Sequence, residues 1–358
     1  MAGGGTMPKA GDQPAKPLRT WRPMILWSVG ILAVLGVLWL GISIYAPILQ
    51  TRDIVRSCRI SAPAPPPGPP PWYGRIENAG EHIRRLGGPS RAASRLALYL
   101  RWSMRLSPSD ASERLPAVVL LGHCGKPAVP TLLKLMRESD KDKCLGGWEL
   151  FYLETAILRA SQDAVPEMIT ALGDPDDRIR EVAVFALGKG EAVPELRLAL
   201  AHPNGRIRSG AAQALAQMRS LAGEAVPELV RALDDSELPV RLAAANALAQ
   251  IGSRDRTAAV PALIRMLARP DGEERSSAAF ALGMFGAEGR AAVPELTRAV
   301  GDPVVWVRFR AADALGRIGA AARESVPALE RALEDESEQV RTAAASALKQ
   351  IRGEEAGK

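Results

Sequence analysis

A Val-Pro pair recurs along the chain, with its proline at Pro130, Pro166, Pro194, Pro227, Pro261, Pro294 and Pro327. The steps between them are 36, 28, 33, 34, 33 and 33 residues. Fourteen residues after each of the last six prolines stands an arginine: Arg180, Arg208, Arg241, Arg275, Arg308 and Arg341. Self-similarity at this period is the mark of a solenoid, whose units cannot bury an apolar face alone and must stack.

Each unit decodes as two helices. Proline suits a helix's first turn, where its missing N–H has no intrahelical partner to lose. Apolar residues follow two and six positions on, as in Leu229 and Leu233, which is helical spacing. Asp, Gly, Pro or Ser then marks a turn in most units. The second helix is the more regular. Three and six residues past the arginine come alanines, Ala183 and Ala186 in one unit and Ala344 and Ala347 in another; seven past comes leucine, as in Leu187 and Leu348. Small residues on one stripe let neighbouring helices approach closely, so these columns read as core.

Pro227, Asp235 and Val240-Arg241, with the same spacing in other units, resemble the HEAT repeat. The short, Ala-rich form is similar to the HEAT-like repeats of bilin lyases. The resemblance implies an all-α, right-handed α-solenoid of helical hairpins over residues 126–352. It also implies a structural ladder of hydrogen bonds between successive units, carried by Asp174 and Arg180, Asp235 and Arg241, Asp302 and Arg308, and Asp335 and Arg341. His202 and Arg269 occupy the aspartate position in two units, and the unit at Pro130 has Cys144 where the arginine should stand.

Ahead of the array the composition changes. Residues 1–22 are Gly-, Pro- and Lys-rich without periodicity and are expected to form a disordered tail. Met24 to Ala46 is 23 residues without a charge, enough to cross the ~30 Å core of a bilayer, so one transmembrane helix is expected over residues 23–49. A cleaved signal peptide would have a shorter apolar region. No small-xxx-small spacing marks the run, so it is expected to be monomeric in the span. Lys9, Lys16, Arg19 and Arg22 precede it against Arg52, Arg56 and Arg59 after it, which favours a single-pass membrane protein with a cytoplasmic N-terminus.

Residues 50–74 read as a juxtamembrane and proline-rich spacer, with seven prolines from Pro63 to Pro71, suited to a stalk or to docking in an aromatic-lined groove. Residues 75–125 read as a helical cap and half-repeat, and 353–358 as a C-terminal tail. The cap region holds Arg84, Arg85, Arg91, Arg95, Arg101 and Arg105 beside Leu98 and Trp102, so a contact with anionic headgroups is the other reading of it.

Charge and chemistry narrow the function. Residues 1–105 carry 14 Lys+Arg against 4 Asp+Glu; residues 106–358 carry 32 against 36. The array is therefore net negative, which argues against a nucleic-acid groove. Cys58, Cys124 and Cys144 are scattered, no Cys/His spacing suits a metal, and no nucleophile–base motif or His-Glu pair stands out, so neither catalysis, metal nor cofactor is expected. Positions one and five past the arginine vary between units and share a helix face. They give Phe185, Gln213, Leu242, Asn246, Phe280, Phe309 and Asp313, with Trp306 a turn away, as candidate partner-binding residues. The aromatics could equally fill gaps between units. The expectation is a membrane-anchored scaffold binding another protein on the concave face, with a lyase-like or chaperone-like role on a pigment-protein or other client as the alternative.

Overall fold

In a computed structural model, residues 46–57, 60–61, 75–76, 78–106, 114–142, 147–251 and 254–353 are described. By compactness the chain divides into Met1–Ile54 and Val55–Lys358. Residues 46–57 are helical (α1). The expected tail and all of the expected span before Ala46 lie outside the described residues; no helix among the described residues is long and apolar enough to cross a membrane.

Each Val-Pro pair of the second unit opens a helix, with the proline in its first turn. The hairpins are α7 (Val165–Ala171) with α8 (Asp177–Lys189), α9 (Val193–Ala199) with α10 (Gly205–Met218), α11 (Val226–Ala232) with α12 (Leu238–Gln250), α13 (Val260–Leu267) with α14 (Gly272–Met284), α15 (Val293–Ala299) with α16 (Val305–Ile318), and α17 (Val326–Ala332) with α18 (Glu338–Arg352). Before them come α2 (Ala79–Arg85), α3 (Pro89–Leu106), α4 (Arg114–His123), α5 (Val129–Asp142) and α6 (Gly147–Ala160). Helix α3 packs on α4, and α4 packs on α6. Short 3-10 turns precede α11, α13, α15 and α17. None precedes α9: α8 ends at Lys189 and α9 begins at Val193, which accounts for the short 28-residue step.

Two residues, Ile60 and Ser61 (β1), pair antiparallel with Arg75 and Ile76 (β2). This is the one departure from helix among the described elements. The proline-rich run from Pro63 to Pro71 of the expected spacer lies outside the described residues.

The core is the seam between second helices. Ala183, Ala211, Ala244, Ala278, Ala311 and Ala344 are all fully buried, as are Leu215, Leu248, Leu282 and Leu315. Successive second helices touch backbone to backbone. A Cβ added at Gly283 would lie 2.8 Å from Ala314 Cα, and one at Gly316 would lie 2.9 Å from Ala347 Cα. First helices meet one another at far fewer points.

A chain of arginines crosses the turns. In every hairpin from α7 on, Nη1 of the repeat arginine donates to two carbonyl oxygens of its own turn, as in Arg241 to Asp235 O (2.8 Å) and Ser236 O (3.0 Å). The rest of the guanidinium reaches the next unit. Arg208 donates to Asp235, Arg275 to Asp302 and Arg308 to Asp335, each by two bonds of 2.7–3.0 Å. Each aspartate also accepts the main-chain N–H two residues on, fixing its turn. The carboxylate bonds thus run from one unit's arginine to the following unit's aspartate, and within a unit the arginine binds its turn through carbonyls.

The two irregular units behave differently. Where Arg269 replaces the aspartate, the nearly buried Glu274 accepts from both Arg241 and Arg269 and completes the rung. Where His202 replaces it, Nδ1 accepts Asn204 N–H at 3.1 Å and preserves the turn, but Arg180 pairs with Asp177 of its own unit. The rung between α8 and α10 is missing. At the start of the array, Asp174 pairs with Arg137 of α5.

Candidate partner-binding groove

Alanine columns point into the stack, so the positions one and five past each arginine are left on the face of the second helices. Gln213 and Asn246 are exposed there, while Leu242, Phe280, Phe309 and Asp313 are half-buried. Gln213 of α10, Leu242 and Asn246 of α12 and Phe280 of α14 line one groove of about 760 Å³, together with Gln217, Gln250 and Arg310. A smaller hollow of about 420 Å³ adjoins it toward α8, sharing Val184, Ser209, Gln213 and Pro239.

One end of the groove is an aromatic cluster knitted by a cation. The Arg310 guanidinium lies 4.7 Å from the Phe280 ring centroid and 5.4 Å from that of Phe309. Phe309 meets Trp306 edge-to-face, with centroids 6.0 Å apart and planes at 84°. Trp306 is 55% exposed. A cation set over ring faces is worth about 0.5–1 kcal/mol at an exposed site, so the cluster is held in place before any ligand arrives. Phe185 stands apart on α8. It lies under Lys189 Nζ at 4.0 Å and lines neither hollow. Asp313 is engaged by Arg317 at 2.8 Å. The structure therefore joins Gln213, Leu242, Asn246 and Phe280 directly, and Phe309 and Trp306 to them through Arg310.

Sequence reasoning missed a third column. Nine residues past the repeat arginine come Lys189, Gln217, Gln250, Met284, Arg317 and Gln350. They lie one turn beyond the position-five residues, and four of them contact those partners: Lys189 with Phe185, Gln250 with Asn246, Arg317 with Asp313 and Gln350 with Ser346. The same four-residue step that links the first two columns would have found it.

The groove is lined mostly by carboxamides, serines and apolar groups, with Glu273 and Arg310 its charged residues. Elsewhere, burial pushes the Cys124 thiol up to about 12, which keeps it protonated and unsuited to attack. Burial, and then the charge of Arg159, hold His123 below its ordinary value; the two side chains are hydrogen-bonded. Among the described residues no group of His, Cys, Asp or Glu could hold a metal ion.

The model of the HEAT-repeat family matches residues 193–283 and 260–349. No curated protein matches the chain. Similar solved structures include a designed armadillo repeat protein, 21% identical over 52% of this chain and 99% of that one, with a TM-score of 0.41. A designed armadillo repeat protein in complex with the peptide (KR)4 is 19% identical over 70% and 98%, with a TM-score of 0.36. Kap121p is 16% identical over 73% and 34%, with a TM-score of 0.49. The resemblance to bilin lyases has no counterpart in these matches. From Val193 to Lys349, hairpins α9–α10 to α17–α18, the chain is similar to an array of HEAT repeats.

Proposed function

We propose that the chain is a membrane-anchored scaffold whose second-helix groove binds a protein partner. The groove across α10, α12 and α14 carries this reading: varied side chains on an invariant frame, ending in the Phe280–Arg310–Phe309–Trp306 cluster. Repeat arrays use such extended faces for recognition, and aromatic and arginine residues dominate binding hot spots. The second helices pack more closely than the first, so the stack curves toward the groove and presents it as the concave side. The uncharged run Met24–Ala46 supplies the anchor, with the N-terminus in the cytoplasm. A lyase-like or chaperone-like role has no observation of its own in its favour.

The test is photo-crosslinking of the full, detergent-solubilised chain from positions 213 and 246, followed by binding measurements with the purified partner so identified. Phe280→Ala and Arg310→Ala should each weaken binding about tenfold or more. Leu198→Ser, on the exposed side of first helix α9, should leave it unchanged. Equal affinity for all three variants would dismiss the groove as the binding surface. A C-terminal reporter fusion reads out the membrane topology independently.

A further inference from the structure

The outer face of α3 carries a stripe of arginines that the packing of the array does not use. Helix α3 buries Ala92, Ala93, Leu96, Tyr99, Leu100 and Ser103 against the array. Its opposite side presents Arg91, Arg95, Leu98 and Arg101, spaced by three or four residues and so forming one straight stripe. Arg84 and Arg85 are exposed at the end of α2, just before the turn at Gly87 and Gly88.

These arginines differ from those of the repeats in being gathered on one face without carboxylates. Surface arginines of the array either meet carboxylates, as Arg231 does with Glu228 and Arg298 with Glu295, or stand scattered over separate units, as Arg206, Arg290 and Arg331 do. The side chains of Arg84, Arg85, Arg91, Arg95 and Arg101 have no hydrogen bond or ion pair among the described residues. No Asp or Glu occurs in the sequence between Glu81 and Asp110. A stripe of unpaired guanidinium groups repels itself and asks for an anion from outside, best one with phosphate oxygens that suit the planar fork.

We propose that this face rests on a bilayer surface through anionic phospholipid headgroups. Three observations favour lipid over nucleic acid. The stripe lies on the outer face of a single helix, which matches a plane. Leu98, 40% exposed among the arginines, gains from the headgroup–acyl boundary and nothing from a phosphate backbone. Residues 106–358 carry 32 Lys+Arg against 36 Asp+Glu and would repel a polyanion that ran from the stripe along the array. The contact holds for an anchored or a peripheral protein alike, so it does not rest on the expected span or on the groove.

The test uses the full chain with Leu98→Cys, Cys58→Ser and Cys144→Ser, labelled at position 98 with an environment-sensitive fluorophore. Vesicles contain phosphatidylcholine alone or with phosphatidylglycerol. Phosphatidylglycerol should shift the emission to the blue, and added salt should reverse the shift without any further substitution. Arg91→Gln, Arg95→Gln and Arg101→Gln should each lower the bound-to-free ratio about fivefold. A label at Leu198→Cys should not respond. Equal emission in both vesicle types would overturn the proposal. So would an equal response at position 198, or a shift caused by a duplex oligonucleotide and not by phosphatidylglycerol.

Discussion

Arg208 and Asp235 are joined by two parallel hydrogen bonds, Nε to Oδ2 at 2.7 Å and Nη2 to Oδ1 at 2.8 Å, across 27 residues and a hairpin boundary. The same guanidinium holds its own turn through His202 O at 2.8 Å and Pro203 O at 3.0 Å. One side chain therefore sets both the turn within a unit and the joint to the next. Arg275 and Arg308 repeat the arrangement. Because α10, α12 and α14 form the groove floor, these joints fix the spacing of the groove residues.

Removing a rung should therefore cost more than removing a surface pair. In the Arg275–Asp302 pair the side chains are 13% and 10% exposed, whereas in Arg298–Glu295 they are 77% and 29% exposed. Arg275→Met strands a nearly buried carboxylate and should lower stability by about 2–3 kcal/mol. Arg298→Ala should change it by less than about 0.5 kcal/mol. Urea unfolding followed by far-UV circular dichroism compares them, with hydrogen exchange locating the loss in α13–α16. Equal losses would show that the rung is ornamental.

The missing rung can be supplied. His202 already accepts the Asn204 N–H as an aspartate would, and Arg180 lacks only a carboxylate in the next unit. His202→Asp should stabilise the array by about 1 kcal/mol, the net value of a charge-assisted bond at a part-buried site. In an Arg180→Gln background the gain should vanish, and a double-mutant cycle measures that coupling. A gain that persists without Arg180 would trace to the turn alone.

The hairpin units were legible in the sequence because proline, alanine and leucine repeat at fixed offsets. The direction of the ladder was not. Asp235 stands six residues before Arg241 and 27 after Arg208, so nearness in sequence points to the wrong partner. Glu274 was hidden for a related reason: it is 33 residues from Arg241, at the start of a helix and outside the aspartate column. A hollow of about 560 Å³ bounded by Leu158, Met168, Leu187 and Glu191 lies where the α8–α9 link lacks a 3-10 turn; the 28-residue step marks the short link but not the hollow beside it. The groove was half legible. Variable positions named its walls, but the cation that gathers Phe280 and Phe309 sits two residues past the repeat arginine, outside the columns one and five past it.

Acid should dissolve the ladder. Burial alone would raise the Asp235 and Asp302 carboxyls, but their arginine and main-chain hydrogen bonds and the nearby charges outweigh it and hold both below the ordinary value. For Asp335 the Arg308 hydrogen bond is the largest cause, and the direction is the same. A carboxyl lowered by folding contributes stability above its unfolded value of about 3.9, and that contribution fades as pH falls toward the folded value. Stability should be flat with respect to these groups from neutrality to about pH 5 and drop below about pH 4. Asp302→Asn should be less stable at neutral pH but lose less on acidification. A parallel loss in both proteins would assign the acid sensitivity to other groups.

Close approach of the second helices makes a sharper prediction at Gly283. Alanine is favoured over glycine in a helix interior by up to about 1 kcal/mol, so Gly283→Ala would stabilise α14 in isolation. In the array its Cβ would meet Ala314 Cα at 2.8 Å, a backbone atom that cannot turn aside. Helix α16 must move, and overpacking of this kind costs about 1–3 kcal/mol, so the net effect should be a loss. Gly80→Ala is the control, because its Cβ would meet nothing within 4 Å and the substitution should gain a few tenths of a kcal/mol. The displacement has a second reading at the groove. Arg310 belongs to α16 and Phe280 to α14, with 4.7 Å between guanidinium and ring. Pushing the two helices apart should loosen that cluster, so Gly283→Ala should weaken the partner binding proposed for Phe280 and Arg310 as well as lower the melting temperature. A variant that melts lower but binds unchanged would separate the packing of α14 and α16 from the groove they line.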